Sequence, residues 1–265
     1  MKPATLLFIL LLMTAAARAA VVPGVSFEQR LGEGLPLDAV FRDTEGHVGR
    51  LGEWIRNRPV VLWFGYAGCP QLCSVVANGM ISVLRPLEAS AGKDFDVVMI
   101  SIDPTETVSA ASASRSEALG QYGRRTAASG WHYLTGSAAA IHATTEAAGF
   151  HFIYDERSKQ YAHPSGFLVL TPQGRISAYF PGVDFPPKAV AAAISRAGAG
   201  GIGQKVAELL LVCFRGDGIT GRYGMIIWRT LGAAVAMTVL ALGAGIGRML
   251  WMEHRARPAE DGGSS

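Results

Sequence analysis

Cys69 and Cys73, four positions apart in Phe64-Gly-Tyr-Ala-Gly-Cys-Pro-Gln-Leu-Cys-Ser74, are the residues of this chain best suited to chemistry. Paired thiolates support three reactions: exchange with another disulfide, closure of a disulfide between themselves, and capture of a soft metal such as copper(I). Dithiol oxidoreductases leave two residues between the cysteines, whereas three stand between them here. The wider spacing holds a metal more comfortably and still closes a disulfide, so all three chemistries stay open. An apolar run ends just before the pair and helical spacing begins just after it, which puts the pair at a helix start, and Pro70 suits that first turn. The positive end of the helix and its free N–H groups lower a thiol pKa and favour thiolate.

A soft-metal site wants a third ligand, and the chain has six histidines. His254 is set apart by the apolar segment that precedes it. His47 falls in a polar turn and His142 within a helix, both ordinary places for a solvated imidazole. His132 and His151 lie on or beside short strands as partly buried residues. His163 differs by position: Tyr161-Ala-His-Pro-Ser-Gly166 reads as a loop just before a hairpin strand. In a thioredoxin-like sheet that loop faces the helix start bearing the cysteines. The third cysteine, Cys213 in Leu209-Leu-Leu-Val-Cys-Phe214, reads as a packed apolar thiol. Asp103, before Pro104, reads as the cap of a strand-to-loop turn.

These residues need a scaffold, which the hydrophobic pattern describes. Residues 59–65 form a continuous apolar strand of the kind buried on both faces. Helical spacing of Val75, Val76, Met80, Val83, Leu84 and Leu87 predicts a helix over 74–87. A second buried strand runs over 95–102, then a solvent-facing helix over 108–126. A short strand at 131–134 and a helix over 138–148 ended by Gly149 come next, with a strand at 150–154. Strands at 166–170 and 175–180 flank the turn Thr171-Pro-Gln-Gly174 as a hairpin. Pro186-Pro187 opens a last helix through Arg196, and 198–203 reads as a flexible glycine-rich linker. The order β-α-β-α-β-α-β-β-α predicts an α/β fold with a thioredoxin-like central sheet flanked by helices.

The two ends set the compartment. Met1-Lys2, the apolar stretch 6–13 and Ala17-Arg18-Ala19 have the layout of a secretory signal peptide over 1–19. Residues 230–247 are uncharged and apolar, and roughly 20 residues at 1.5 Å each cross a hydrocarbon core of about 30 Å. Trp228 and Trp251 bracket this segment, and Arg229 and Arg248 can snorkel to its two surfaces. Arginines on both sides leave the positive-inside rule tied, so the signal peptide decides the orientation. The chain divides into 1–19, a domain over 20–198, a linker over 199–224, a transmembrane helix over 225–250 and a cytoplasmic tail over 251–265. Three cysteines are too few for a disulfide scaffold, and in an oxidising compartment a close pair needs a chemical reason. A net charge of +3, scattered along the chain, argues against nucleic acid as a partner.

The stretch around Cys69 and Cys73 resembles the Sco/SenC family motif of strand, F-G-Y/F-T-x-C-P-x-x-C-P and helix. Ser101-Ile-Asp-Pro-Thr105 is similar to that family's next strand end, and Tyr161-Ala-His163 with Pro172-Gln-Gly174 to its later histidine segment. The resemblance covers roughly residues 25–198. It implies a thioredoxin-like domain that binds one copper, Cu(I) or Cu(II), through Cys69, Cys73 and His163. It further implies a role in assembling the binuclear copper site of cytochrome c oxidase, with the copper-bearing oxidase subunit as partner. Other envelope copper chaperones or thiol reductants would be further partners. The domain would sit on the periplasmic or outer face of the inner membrane, held by the C-terminal span. Three departures stand out: Ala162 where the family often has Asp, Gly68 where a polar residue is common, and Ser74 where proline is. A missing carboxylate at 162 leaves the histidine ring without one orienting partner. The alternative is a thiol:disulfide oxidoreductase that keeps oxidase cysteines reduced, with Cys69 attacking and Cys73 resolving. Cys69 has no T-x-x-C arrangement with a supporting arginine around it, which argues against a peroxidase of the peroxiredoxin class, and zinc would normally take a fourth ligand.

Overall fold

The computed structural model describes residues 23–67, 72–206, 212–213 and 221–256. In chain order its elements are β1 (Ser26–Phe27), β2 (Val40–Arg42), β3 (Val48–Arg50), β4 (Val60–Gly65), α1 (Leu72–Leu84), β5 (Asp96–Ser101), α2 (Val108–Tyr122), β6 (Trp131–Gly136), α3 (Ala138–Ala147), β7 (Phe150–His151), β8 (Ile153–Asp155), β9 (Gln160–Pro164), β10 (Gly166–Leu170), β11 (Ile176–Pro181), α4 (Pro187–Gly198), β12 (Val212–Cys213) and α5 (Gly221–Ala256). The signal peptide expected over 1–19 lies outside the described residues.

The central sheet has seven strands in the order β11-β10-β4-β5-β6-β2-β3. Strands β4, β5 and β6 run parallel, with Trp63 beside Met99 and Met99 beside Tyr133, while β10 joins β4 antiparallel. Every residue of β4 and β5 is buried, which is why both read as unbroken apolar runs rather than alternating ones. Alternation instead sorts their side chains onto two packed faces. Trp63 and Met99 line a cavity with Ala77 and Met80 of α1 and Ala118 of α2. Phe64, on the opposite face, packs at 4.9 Å between ring centroids on Phe150, which meets Phe27 of β1 edge-on. Helix α1 packs against both α2 and α4, so these three helices form one layer.

The helix ends obey local chemistry. Thr107 caps α2 by accepting from the Ala110 N–H, and Gly123 ends it with φ 72°. Helix α2 therefore stops at Tyr122, and the rest of the helix expected through 126 becomes a separate 3-10 turn at Arg125–Ser129. Helix α1 closes at Leu84, short of Leu87. A Cβ at Gly79 would overlap the Val183 carbonyl oxygen, so α1 approaches the 182–185 segment this closely only because that position lacks a side chain. The strand expected over 150–154 is two, since β7 pairs with β1 and β8 with β9.

Residues 198–203, expected as a flexible linker, are held in place: Gly198 closes α4, and the stretch after it is fastened to the sheet. Gly203 N–H donates to the Ser177 carbonyl, and the Ser177 hydroxyl donates to the Gly201 carbonyl. Gln29 exchanges two hydrogen bonds with the backbone of Val206, at 2.8 and 2.9 Å. Residues 215–265 form a separate compact unit containing α5. Within α5, Gly232–Met249 has a mean hydropathy of 1.5 and no buried residue, long and apolar enough to cross a membrane.

Candidate metal centre

Strand β4 delivers the chain to the cysteine segment. Cys73 is the second residue of α1, in its first turn, where helix N–H groups lack intrahelical acceptors. Cys69 falls in 68–71, outside the described residues. Tyr66, three positions before Cys69, is buried against the histidine strand. Its ring lies 6.2 Å from that of His163 and 5.2 Å from that of Tyr161. Its hydroxyl accepts the Tyr161 N–H at 3.4 Å. The approach to the cysteines and the strand bearing His163 are therefore in direct contact.

His163 has no exposed surface. It belongs to strand β9, not to the loop expected from the sequence, because Ile153, Tyr154 and Asp155 pair with Ala162, Tyr161 and Gln160. On the other edge Cys213 is the register partner of His163 and Val212 that of Pro164, a placement that the sequence pattern does not anticipate. The His163 Nδ1 lies 2.9 Å from the Pro164 carbonyl oxygen. A carbonyl only accepts, so Nδ1 carries a proton in this contact. Phe150 covers the ring at 5.8 Å.

This geometry gives the ring an orienting partner although position 162 is alanine. Ala162 is wholly buried with Val25 and Ile153 in a small apolar cluster, and the Pro164 carbonyl orients the imidazole instead. Gly166 comes next at φ 135°, where a Cβ would overlap the Phe180 carbonyl oxygen; the step from β9 into β10 needs glycine.

Other titratable groups arrange themselves around this core. Asp103 Oδ1 accepts from the Thr105 N–H and hydroxyl and from the Tyr161 hydroxyl at 3.3 Å. The expected turn cap is present, with a link to the histidine strand added. Burial, with the Asp103 charge beside it, pushes the Tyr161 phenol up to about 12. Glu106, which no sequence motif singles out, accepts from the Ala67 N–H at 2.8 Å and from the Ser101 hydroxyl at 2.9 Å. Burial raises its pKa against the lowering pull of Tyr133, Ala67 and Ser101. The available signal was a carboxylate three residues beyond Asp103 at the end of a buried strand. The remaining described histidines go elsewhere: His47 pairs with Glu53, His142 is exposed, and His151 lies between Glu28 and Glu146. Burial holds His132 down at about 4.

Among the described residues no group of three His, Cys, Asp or Glu is placed to hold a metal ion. The donor types fit copper: an imidazole held through Nδ1 and packed by Tyr66 and Phe150, and thiols of which Cys73 belongs to the first turn of α1.

A family model described as SCO1/SenC matches residues 42–198. No curated protein matches the sequence. Among solved structures the chain is similar to a protein from Aquifex aeolicus VF5, at 24% identity and TM-score 0.57 over 64% of this chain and 95% of that one. It is similar to Arabidopsis thaliana ScoI with copper bound, at 15% identity and TM-score 0.51 over 64% and 99%. A SCO1/SenC family lipoprotein from Bacillus anthracis str. Ames gives 17% identity and TM-score 0.51 over 65% and 99%. At these identities the likeness establishes the thioredoxin-like fold.

Proposed function

The chain belongs to the SCO1/SenC family, and on that premise we propose that it is a membrane-anchored copper chaperone. It binds one copper through Cys69, Cys73 and His163 and serves assembly of the binuclear copper site of cytochrome c oxidase. The observation that carries this reading is the His163 ring: wholly buried, Nδ1 committed to the Pro164 carbonyl, and packed against the residue that leads into the cysteine segment.

Copper is here the cargo. Two thiolates with a neutral imidazole suit copper(I), and the same three hold copper(II). Loading displaces the thiol protons, so retention strengthens as pH rises through the thiol range. The Nδ1–H to Pro164 bond keeps the imidazole in one tautomer and one orientation, so loading costs little reorganisation. Release occurs when ligands of the oxidase subunit replace these three in turn. Helix α5 anchors the domain, 1–19 serves as export signal, and the domain faces the periplasmic or outer side of the inner membrane.

A second reading has its own support in the placement of Cys73 in the first turn of α1. As a thiol:disulfide oxidoreductase, Cys69 thiolate would attack a disulfide of the oxidase subunit and expel one target thiolate. Cys73 thiolate would then attack the Cys69 sulfur, expelling the second target thiolate and leaving the pair oxidised. The test is copper stoichiometry of the purified full chain against its His163→Ala variant. Near one copper per chain, lost in the variant, supports the chaperone. No copper in either, with dithiol reductase activity indifferent to the substitution, supports the oxidoreductase.

A further inference from the structure

The cysteine segment and the histidine strand come from distant parts of the chain, yet one run of hydrogen bonds joins them. Ala67 N–H, two residues before Cys69, donates to Glu106 Oε2 at 2.8 Å. The Ser101 hydroxyl donates to the same oxygen at 2.9 Å and accepts the Asp103 N–H at 3.2 Å. Asp103 in turn accepts from the Tyr161 hydroxyl, two residues before His163. The segment between β5 and α2 thus folds back over the end of its own strand and holds both sides at once. Its backbone is fixed independently, by Glu106 N–H to the Asp103 carbonyl and by the Thr107 cap of α2.

Burying part of a carboxyl costs free energy unless its bonds are made, and half-buried Glu106 commits its Oε2 to the Ala67 N–H on the approach to Cys69. We infer that Glu106 is the positioning residue of the proposed metal centre: it holds Ala67, where the chain enters the cysteine segment, and through Ser101, Asp103 and Tyr161 ties that entry to the strand of His163. This rests on the copper reading for its main readout, and on the thiols alone for its second.

The experiment uses the full chain in detergent with Glu106→Ala, Glu106→Gln and Tyr161→Phe. Copper(I) retention is measured by competition with a chromogenic chelator, and the metal-free thiols by their alkylation rate. Thermal melting checks that each variant is folded. Removing a partner that orients a ligand weakens metal binding about 10-fold or more, and that loss is expected for Glu106→Ala. Glu106→Gln keeps an oxygen for the Ala67 N–H and restores most of the affinity. Tyr161→Phe, which retains the ring but not the bond to Asp103, shifts affinity the same way by less. A folded Glu106→Ala chain that retains copper and alkylates like wild type overturns the inference, as does a Glu106→Gln chain no better than Glu106→Ala. If Glu106→Ala does not fold, an unchanged Tyr161→Phe overturns it. If the wild type itself takes no copper, the copper reading fails separately, and the alkylation rates decide the role of Glu106: unchanged rates overturn it and altered ones uphold it.

Discussion

At the scale of single residues, the site turns on how His163 is held. The expected deficit at position 162 is made good by the Pro164 carbonyl, so restoring the acid of the family pattern is a destabilising change here. Ala162→Asp would bury a carboxylate among Val25 and Ile153, and we expect a loss of about 2 to 3 kcal/mol, measured by denaturant unfolding of the variant against wild type. His132 makes a second prediction. Its pKa falls from 6.5 to about 4 on folding, chiefly by burial. The folded state therefore binds its proton less readily than the unfolded one. The stability it contributes is present above pH 6.5 and is lost as pH falls toward 4. His132→Gln should remove this slope, narrowing the difference in stability between neutral and acid by something on the order of 2 kcal/mol; equal slopes for variant and wild type would contradict it. The residues of the proposed site were named from the sequence alone, since thiol spacing and histidine position are local features. Glu106 was not, because its role comes from a turn that brings it back over Ser101 and Ala67, and no periodicity records such a turn.

At the scale of elements, the buried strands β4 and β5 were readable because a strand covered on both faces is apolar throughout. Strand β9 was not readable. Gln160-Tyr-Ala-His-Pro164 has no apolar alternation, and it is a strand only because β8 and β12 pair with it from either side. The short β1, β2 and β3 escaped for the same reason. Helix α1, which carries Cys73, depends on a close approach that the sequence records only as one glycine. Gly79→Val would force α1 off the Val183 carbonyl. Overpacking of this kind costs about 1 to 3 kcal/mol, so we expect a lower melting temperature together with weaker copper retention, as the first turn of α1 shifts with the helix. A loss of stability with copper retention intact would show that the thiols are positioned independently of the helix body.

At the scale of the whole molecule, the family match ends at residue 198, but the fastening of the domain does not. The stretch to Val206 is tied to the sheet rather than free, and β12 lies along the histidine strand. A chain ending at Phe214 keeps one compact unit; it is expected in the soluble fraction, whereas the full chain should resist extraction from membranes by high salt or alkali. A reporter active only outside the cytoplasm, fused after Ser265, is expected to be silent, and its activity would reverse the proposed orientation. The central claim is the ligand set, and X-ray absorption at the copper edge of the loaded full chain tests it most directly. Two sulfur scatterers and one imidazole nitrogen are predicted for wild type, with the imidazole contribution gone in His163→Ala. A wild-type spectrum without imidazole, or one unchanged by the substitution, would contradict it.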